Sequence, residues 1–569
     1  MTARDREADG GAAPAAADPA AAGPMAADPM AALLAAAEPT GPRRLGELID
    51  RLDASGRLRM SPTAGLPAGG VTPPDPAIGA VEVRGVTFDS RRVRASVVFV
   101  AVPGLHADGH DYVAAAAALG ASAAIVEHPV PSVVLPQVVV DDARRALATV
   151  AAWWYGDPSR ELGIVGITGT DGKTTTANLA TSVLEAGGIS AGLITTANLK
   201  VGALRLANPE HVTTPEAPDL QRTLRAMVAA GNEAGIVETT SHGLALHRVA
   251  EIGYDIAIFT NLTHEHLELH GTFESYRAAK LSLFSRLGDG PPKGLARDWP
   301  RAAVVNADDP AAPLFATAAR RAGARVVTYG GTASADVRAT AVEEDAGAIR
   351  VDIATPRWRG AVELHIAGIF NVHNALAAVA LGEVLEIDRS GVRDGLAAVE
   401  RVPGRMERVN CGQPFGVVVD YAHSPASFQK VLDALAPMVS AGGGLIALFG
   451  SAGERDVQKR PMMGRIAGER CRLVVVTDED PRGEDSRTIL DEIAAGAEGV
   501  GKRRGLDLLC IDDRRAAMEA AFERAEPGDV VLLAGKGHEQ TIIMADGPRP
   551  WDERAEAIRA LGRLGYRNE

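Results

Sequence analysis

Hydrophobic residues in this chain fall into short, dense runs, and most of these runs end in a cluster of polar residues. Residues 81–86 alternate apolar and polar like a half-buried strand. The runs 97–102 and 123–127 are continuous and of strand length, with an Ala-rich helical stretch between them. Further runs lie at 164–167, 236–237, 256–259 and 302–305, and again at 417–419, 445–449, 473–476 and 530–533. Helical patterns separate successive runs, so both later sets read as parallel sheets covered by helices on both faces. The predicted fold class is α/β. Residues 45–52 read as a helix and 58–77 as a Pro/Gly-rich connection. Residues 1–42 are rich in Ala, Pro and Gly and lack aromatics, so they are expected to form a disordered, dispensable tail, with a short helix conceivable over 30–38. The expected units are the tail at 1–42 and domains at 43–158, 159–401 and 402–569. No internal repeat is evident.

One stretch organises the candidate chemistry. The apolar run at 164–167 passes through Thr168-Gly169-Thr170-Asp171-Gly172 into Lys173-Thr174 and a helical pattern. Strand, glycine turn, Lys-Thr and helix in that order hold a nucleotide triphosphate: backbone N–H groups approach the phosphates, the lysine adds a point charge, and the threonine hydroxyl binds Mg²⁺. The generic pattern wants another glycine at position 167, where this chain has isoleucine. Polar clusters at other strand ends include Glu238-Thr239-Thr240-Ser241-His242, Asn261 to His266, Asp420-Tyr421-Ala422-His423 and Gly535-Lys536-Gly537-His538-Glu539. Ligands of open α/β sheets bind outside the carboxyl ends of strands, so these clusters are expected to converge.

Composition narrows the partners. Against 59 basic residues stand 73 acidic ones, for a net charge of −14, which argues against nonspecific nucleic-acid binding. Apolar residues make up 46% of the chain, enough for several cores. Cys411, Cys471 and Cys510 lie far apart without metal spacing, which suggests a reducing compartment. No uncharged apolar run reaches membrane-spanning length, and no secretory signal is expected, so the location expected is the cytoplasm.

Taken together, the motifs at 168–174, 238–248, 261–280, 371–374, 404–405, 420–423, 453–460 and 535–539 resemble the Mur ligase family, of the UDP-N-acetylmuramoyl-tripeptide synthetase type. The resemblance runs from about residue 44 to the C-terminus. It implies three domains: an N-terminal one for the UDP-sugar, a central P-loop parallel sheet for ATP, and a Rossmann-like C-terminal one for an amino acid. It further implies an ATP- and Mg²⁺-dependent amide ligase of peptidoglycan precursor synthesis, adding a diamino acid to UDP-N-acetylmuramoyl-L-alanyl-D-glutamate through an acyl phosphate. A monomer is expected, without nucleic-acid or membrane partners.

The same resemblance assigns residues. Lys173, Glu238, His266 and Lys280 are the expected catalytic set, with Lys280 carbamylated. Thr174, Glu238, His266 and the modified Lys280 are expected at the metal. The nucleotide is expected against Thr168, Gly169, Thr170, Asp171, Gly172, Lys173, Thr174, Asn374, Arg405 and Asp420. For the UDP precursor the positions are Phe88, Ser90, Leu105, His106, Ala107, Thr213, Thr214, Thr240 and Arg248. For the amino acid they are Arg455, Glu479, Asp480, Pro481, Arg482, Gly535 and Glu539, with Glu539 receiving the distal ammonium. Several positions depart from the family. Asp171 replaces an asparagine, Thr240 a serine and Leu246 a glutamine. Glu479-Asp480-Pro481-Arg482 stands where enzymes that add meso-diaminopimelate usually carry Asp-Asn-Pro-Arg. An ionised Asp480 accepts hydrogen bonds but cannot donate them, so it either repels a substrate carboxylate or favours lysine or ornithine. Pairing with Arg482 or Arg455 would ease that conflict. Meso-diaminopimelate is the first expectation, with ornithine and lysine as alternatives. Competing readings are a P-loop NTPase driving a partner, a noncatalytic Mur-like binding protein, and a folylpolyglutamate- or cyanophycin-type ligase. The Thr-Thr-Ser-His-Gly and Gly-Lys-Gly-His-Glu segments favour the muramoyl-tripeptide type.

Overall fold

The computed structural model of the protein describes residues 29–60, 76–104, 107–208, 213–263, 267–290, 293–344, 348–440 and 442–567. Three sheets carry the fold. The first has five strands, four of them parallel (Gly85–Thr87, Val97–Val100, Ala123–Val126, Gln137–Val140), with Leu58–Met60 antiparallel at one edge. The expected strand at 81–86 is divided in two: Glu82–Val83 pairs with Arg43–Arg44, while Gly85–Thr87 joins the main sheet.

The central sheet has eleven strands. Its middle is parallel, with the phosphate-loop strand Gly163–Thr168 between Ala234–Glu238 and Ile256–Phe259. Both of its edges are antiparallel, which the expectation of a parallel sheet did not include. One edge is the hairpin Asn198–Val201 and Leu204–Ala207; the other is the meander Val337–Glu344, Ile349–Ala354 and Arg359–Leu364. These edge strands expose one face, so their apolar residues alternate with polar ones instead of forming dense runs. Helices Lys173–Ala186 and Asn371–Val384 cover one face of the sheet and Ala217–Ala229 and Phe273–Ser285 the other, enclosing two separate cores.

The third sheet has six strands, five of them parallel, in the order Gly416–Asp420, Val530–Ala534, Leu445–Phe449, Leu473–Val476, Leu508–Cys510; Glu407–Arg408 lies antiparallel at the edge. Leu508–Cys510 is too short to stand out as an apolar run, and it escapes sequence reading for that reason.

The end of the expected disordered tail is ordered. Pro29–Ala36 is a helix whose Met30 and Ala37 are buried in the central core beside Leu220 and Leu224. Glu38 then accepts a hydrogen bond from Tyr155 Oη at 2.9 Å and one from Trp154 Nε1 at 3.5 Å, both on the helix Ala143–Tyr155. An Ala-rich stretch with Met30 and two leucines has enough apolar surface once a partner groove exists, which composition alone does not show. The tail up to residue 28 and the connection at 61–75 lie outside the described residues.

Removal of residues 1–28 is expected to leave the thermal midpoint unchanged. Removal of residues 1–40 should cost about 2–4 kcal/mol, from lost burial of Met30 and its neighbours. Calorimetric scans of the two truncations beside the full chain check this.

Candidate active site

The phosphate loop is built by its neighbours. Ile167, at the position of the missing glycine, is a fully buried strand residue, so its side chain points into the core and not at the loop. Gly172 has φ +81°, and a Cβ there would lie 2.3 Å from Asn374 Oδ1, so no other residue fits. Asn374 is fixed in turn by donating to Asn371 Oδ1 at 2.8 Å. The Asp171 carbonyl accepts from Thr260 Oγ1 at 2.7 Å, and its amide donates to Asn261 Oδ1 at 2.9 Å. Lys173 Nζ donates to the Gly169 and Thr170 carbonyls at 3.1 and 2.7 Å. Lys280, from the helix Phe273–Ser285, is 2% exposed and donates to the same Gly169 carbonyl at 2.6 Å, with Nζ 4.5 Å from the Tyr276 ring centre. Two ammonium groups therefore converge on one loop.

Glu238 ends the neighbouring strand and is buried. Its Oε2 accepts from Thr174 Oγ1 at 2.9 Å and from the Thr196 amide at 3.0 Å. Around it stand the positions expected for the precursor. Thr196 Oγ1 donates to Thr213 Oγ1 at 2.8 Å, and Thr214 Oγ1 donates to the Glu238 carbonyl at 3.0 Å. Thr240 caps the helix Ser241–Ala245 by accepting from the Gly243 amide at 3.0 Å, so the hydroxyl that replaces a serine is used. Arg248 donates to the Thr214 carbonyl at 3.0 Å and pairs with Glu216 at 2.7 Å. Leu246 caps the far end of that short helix. In the first sheet, Phe88 packs against the core and Ser90 opens a helical turn capped by Asp89. Arg92 of that turn reaches Asp219 at 3.9 Å, bringing the turn to the helix Ala217–Ala229. Ala107 is exposed, and its carbonyl accepts from the Gly104 amide at 2.9 Å. Leu105, His106 and His266 lie outside the described residues.

The third sheet closes the site from the opposite side. Arg405 lies 5.0 Å from the Tyr421 ring centre and reaches Thr174 Oγ1 at 3.4 Å. Asp420 is buried and accepts from the Met406 and Ala422 amides, each at 2.8 Å. Burial pushes its carboxyl up, against the pull of Arg405 and the two amides. Lys430 pairs with Asp171 across the gap at 2.5 Å, which gives the unexpected loop carboxylate a partner. The cleft between the sheets has a volume of about 790 Å³ and is lined by Lys173, Glu238, Asn374, Arg405 and Asp420, among others.

A cluster of charged residues lies at the strand ends of the third sheet. Gly535 has φ +98°, and a Cβ there would meet Glu479 Oε2 at 2.6 Å. Glu479 is 7% exposed, and this Oε2 is buried without a hydrogen-bond partner. Asp480 Oδ1 accepts from Lys536 Nζ and from the Ile543 amide, each at 2.8 Å. The cation that pairs with Asp480 is thus Lys536, a partner the sequence reading does not consider beside Arg482 and Arg455. Glu539 has both oxygens engaged, Oε2 by Lys536 Nζ at 2.5 Å and Oε1 by Tyr421 Oη at 3.2 Å. Pro481 packs its carbonyl against Gly453. Arg482 has φ +57°, donates its amide to the Ile543 carbonyl at 2.9 Å, and keeps a buried Nε without a partner. Arg455 is exposed on the loop that follows Gly453.

Three family models match the chain: "Mur ligase family, catalytic domain" over residues 82–155, "Mur ligase middle domain" over 167–382, and "Mur ligase, glutamate ligase domain" over 404–537. The chain is 49% identical over 494 residues to the UDP-N-acetylmuramyl-tripeptide synthetase of Roseiflexus sp. (strain RS-1), covering 85% of this chain and 96% of that one. The chain belongs to the Mur ligase family. Another Mur ligase, the UDP-N-acetylmuramoyl-L-alanyl-D-glutamate--2,6-diaminopimelate ligase of Geobacter metallireducens, is 39% identical over 508 residues, covering 86% of this chain and 96% of that one. A solved structure of a ligase with that same name superposes with a TM-score of 0.58 at 29% identity, covering 85% of this chain and 96% of the other.

Within this Mur ligase, sequence reasoning passed over several residues that the geometry brings in. Thr196, two residues beyond the strand Ala191–Ile194, serves Glu238 but belongs to none of the motifs above. Lys430 sits on an ordinary helix face and shows itself only through Asp171. Lys536 stands inside a quoted segment, where a lysine between two glycines at a strand end was the available signal. His538 is half-buried against Tyr421, and desolvation, Arg405 and Lys536 push its imidazole down to about 3, so it is neutral at physiological pH.

Lys173→Ala is expected to weaken ATP binding about 10- to 100-fold, the worth of one charge-assisted hydrogen bond to phosphate, with an unchanged melting temperature. Titration calorimetry on the purified variant reads both the affinity and the integrity of the fold.

Proposed function

We propose that the chain is an ATP-dependent amide ligase of peptidoglycan precursor synthesis, joining a diamino acid to UDP-N-acetylmuramoyl-L-alanyl-D-glutamate. The observation that carries this is a single cleft in which Lys173 and the Thr174–Glu238 pair face Arg405, with Lys280 buried behind the same loop and a cluster of mixed charge at the strand ends of the third sheet. The printed names of the relatives support the substrate class.

The chemistry follows from the groups present. An oxygen of the precursor carboxylate bonds the γ-phosphorus as the bond to ADP breaks, giving an acyl phosphate. The amine nitrogen then bonds the acyl carbon, loses a proton, and inorganic phosphate leaves. Both steps gather negative charge, which Lys173 and Arg405 are placed to stabilise. Thr174 Oγ1 and Glu238 Oε2 form a buried all-oxygen donor pair suited to a hard cation, and His266 completes the set by resemblance. Bound there, Mg²⁺ would neutralise phosphate charge. Thr213, Thr214, Thr240 and Arg248 would orient the peptide end of the precursor, and Phe88, Ser90, Leu105, His106 and Ala107 its uridine end. Asn374, Arg405 and Asp420 would hold the nucleotide. Arg455 and Arg482 suit the second carboxylate of meso-diaminopimelate, which remains the first choice, with ornithine and lysine as alternatives. Among the described residues no helix is long and apolar enough to cross a membrane, and the cysteines are free; with the substrate class, these support a cytoplasmic location.

Lys280 is proposed to work as a carbamate. The ammonium first gives up a proton; the freed amine nitrogen then bonds the carbon of CO₂ and loses a second proton, which leaves a carboxylate beside the loop in place of the ammonium. Lys280→Ala should lose about 10²-fold or more in turnover and recover part of it in short carboxylic acids; recovery with acetate, together with a mass increase of intact native protein matching CO₂, is the outcome sought.

Incubation with ATP, the muramoyl dipeptide precursor and each of the three amino acids should release ADP only when both co-substrates are present. Equal ADP release without precursor would instead favour the NTPase reading.

A further inference from the structure

Lys536 has no exposed surface. Its Nζ lies between Asp480 Oδ1 at 2.8 Å and Glu539 Oε2 at 2.5 Å. Burial lowers its pKa, but Glu539 and Asp480 outweigh burial and leave it raised, so the side chain is a cation at neutral pH. Two carboxylates, Asp480 and Glu539, thus share one internal cation, and among the described residues the neighbouring Glu479 Oε2 is left buried and unpartnered. Arg482 stands two positions after Asp480, yet it is not what neutralises that residue.

We propose that Lys536 is a specificity-determining positioning residue: by taking up the charge of Asp480 and Glu539 it leaves Arg455 and Arg482 to a second carboxylate on the incoming amino acid. This rests on the ligase reading of the same site. A buried carboxylate that loses its partner takes another cation or a proton. Without Lys536, the cations at hand for Asp480 are Arg482 and Arg455. An arginine diverted in this way is lost to a substrate with two carboxylates. It is not lost to lysine or ornithine, whose distal group is an ammonium that added negative charge attracts. The converse also holds. With Asp480 neutral, Lys536 balances Glu539 alone, and the cluster gains positive charge that favours the dicarboxylate.

The test uses the full chain with ATP and the muramoyl dipeptide precursor, and measures the ratio of kcat/KM for meso-diaminopimelate to that for L-lysine. In Lys536→Met the ratio is expected to fall about tenfold or more, and in Asp480→Asn to rise about tenfold. In the double variant it should return to within about threefold of wild type, because the unpaired charge has gone with its partner. A purely structural role for Lys536 would lower both rates together and leave the ratio unmoved. A ratio that stays within about twofold of wild type in both active single variants overturns the proposal. If Lys536→Met does not fold, as judged by its melting curve, Asp480→Asn decides by the same threshold. If wild type joins neither amino acid, the ligase reading itself fails and this inference falls with it.

Discussion

A carboxylate buried at the end of a strand has to be given hydrogens, and the way Glu238 obtains them arranges the whole centre of this molecule. One donor is Thr174, the first hydroxyl after the phosphate-loop lysine; another is the amide of Thr196, two residues beyond the adjacent strand. The Glu238 carbonyl takes the Thr214 hydroxyl, and the Thr214 carbonyl takes Arg248. Thr174 and Thr196 are thus registered against the Glu238 side chain, Thr214 against its backbone carbonyl, and Arg248 against Thr214. Leaving such a group unpaired is costly, so the loop, the strand ends and the precursor-side threonines hold one arrangement.

Charge is distributed across the cleft with the same economy. Lys173 and Lys280 approach the loop from one side, and Arg405 reaches it from the other while resting on Tyr421. The Tyr421 hydroxyl donates to Glu539, which holds Lys536, which holds Asp480. A continuous line of contacts therefore runs from the phosphate loop to the charged cluster of the third sheet. Glu479 remains the buried acid with an oxygen to spare there.

Much of this was legible in the sequence, for reasons that differ by element. Strands buried on both faces announce themselves as dense apolar runs, and the run from Ile164 to Thr168, followed by its glycine turn, is such a strand. The antiparallel edges of the central sheet did not show, because half-exposed strands such as Leu204–Ala207 lack that density. A short helix over 30–38 was conceivable from the sequence, but the docking of Pro29–Ala36 was not, since its order comes from a groove made by residues far along the chain. In the candidate site, Lys173, Glu238, Asn374, Arg405 and Asp420, taken from separate motifs, line one cleft, but pairing did not follow from motif. Whether Asp480 meets an arginine or a lysine depends on how strand ends align, and Lys536 wins by geometry.

The helix Pro29–Ala36 and Glu38 fasten the first sheet's long helix to the central core, and Arg57–Glu251 at 2.7 Å adds to the same seam. Against this, the third sheet meets the phosphate loop through Arg405 at Thr174 and through Asp171 and Lys430, a pair whose side chains are 37% and 52% exposed. Exposed ion pairs are screened by dissolved salt, whereas apolar burial is not. Added salt therefore weakens one of the links over the loop and leaves the burial of Met30 at the other junction untouched.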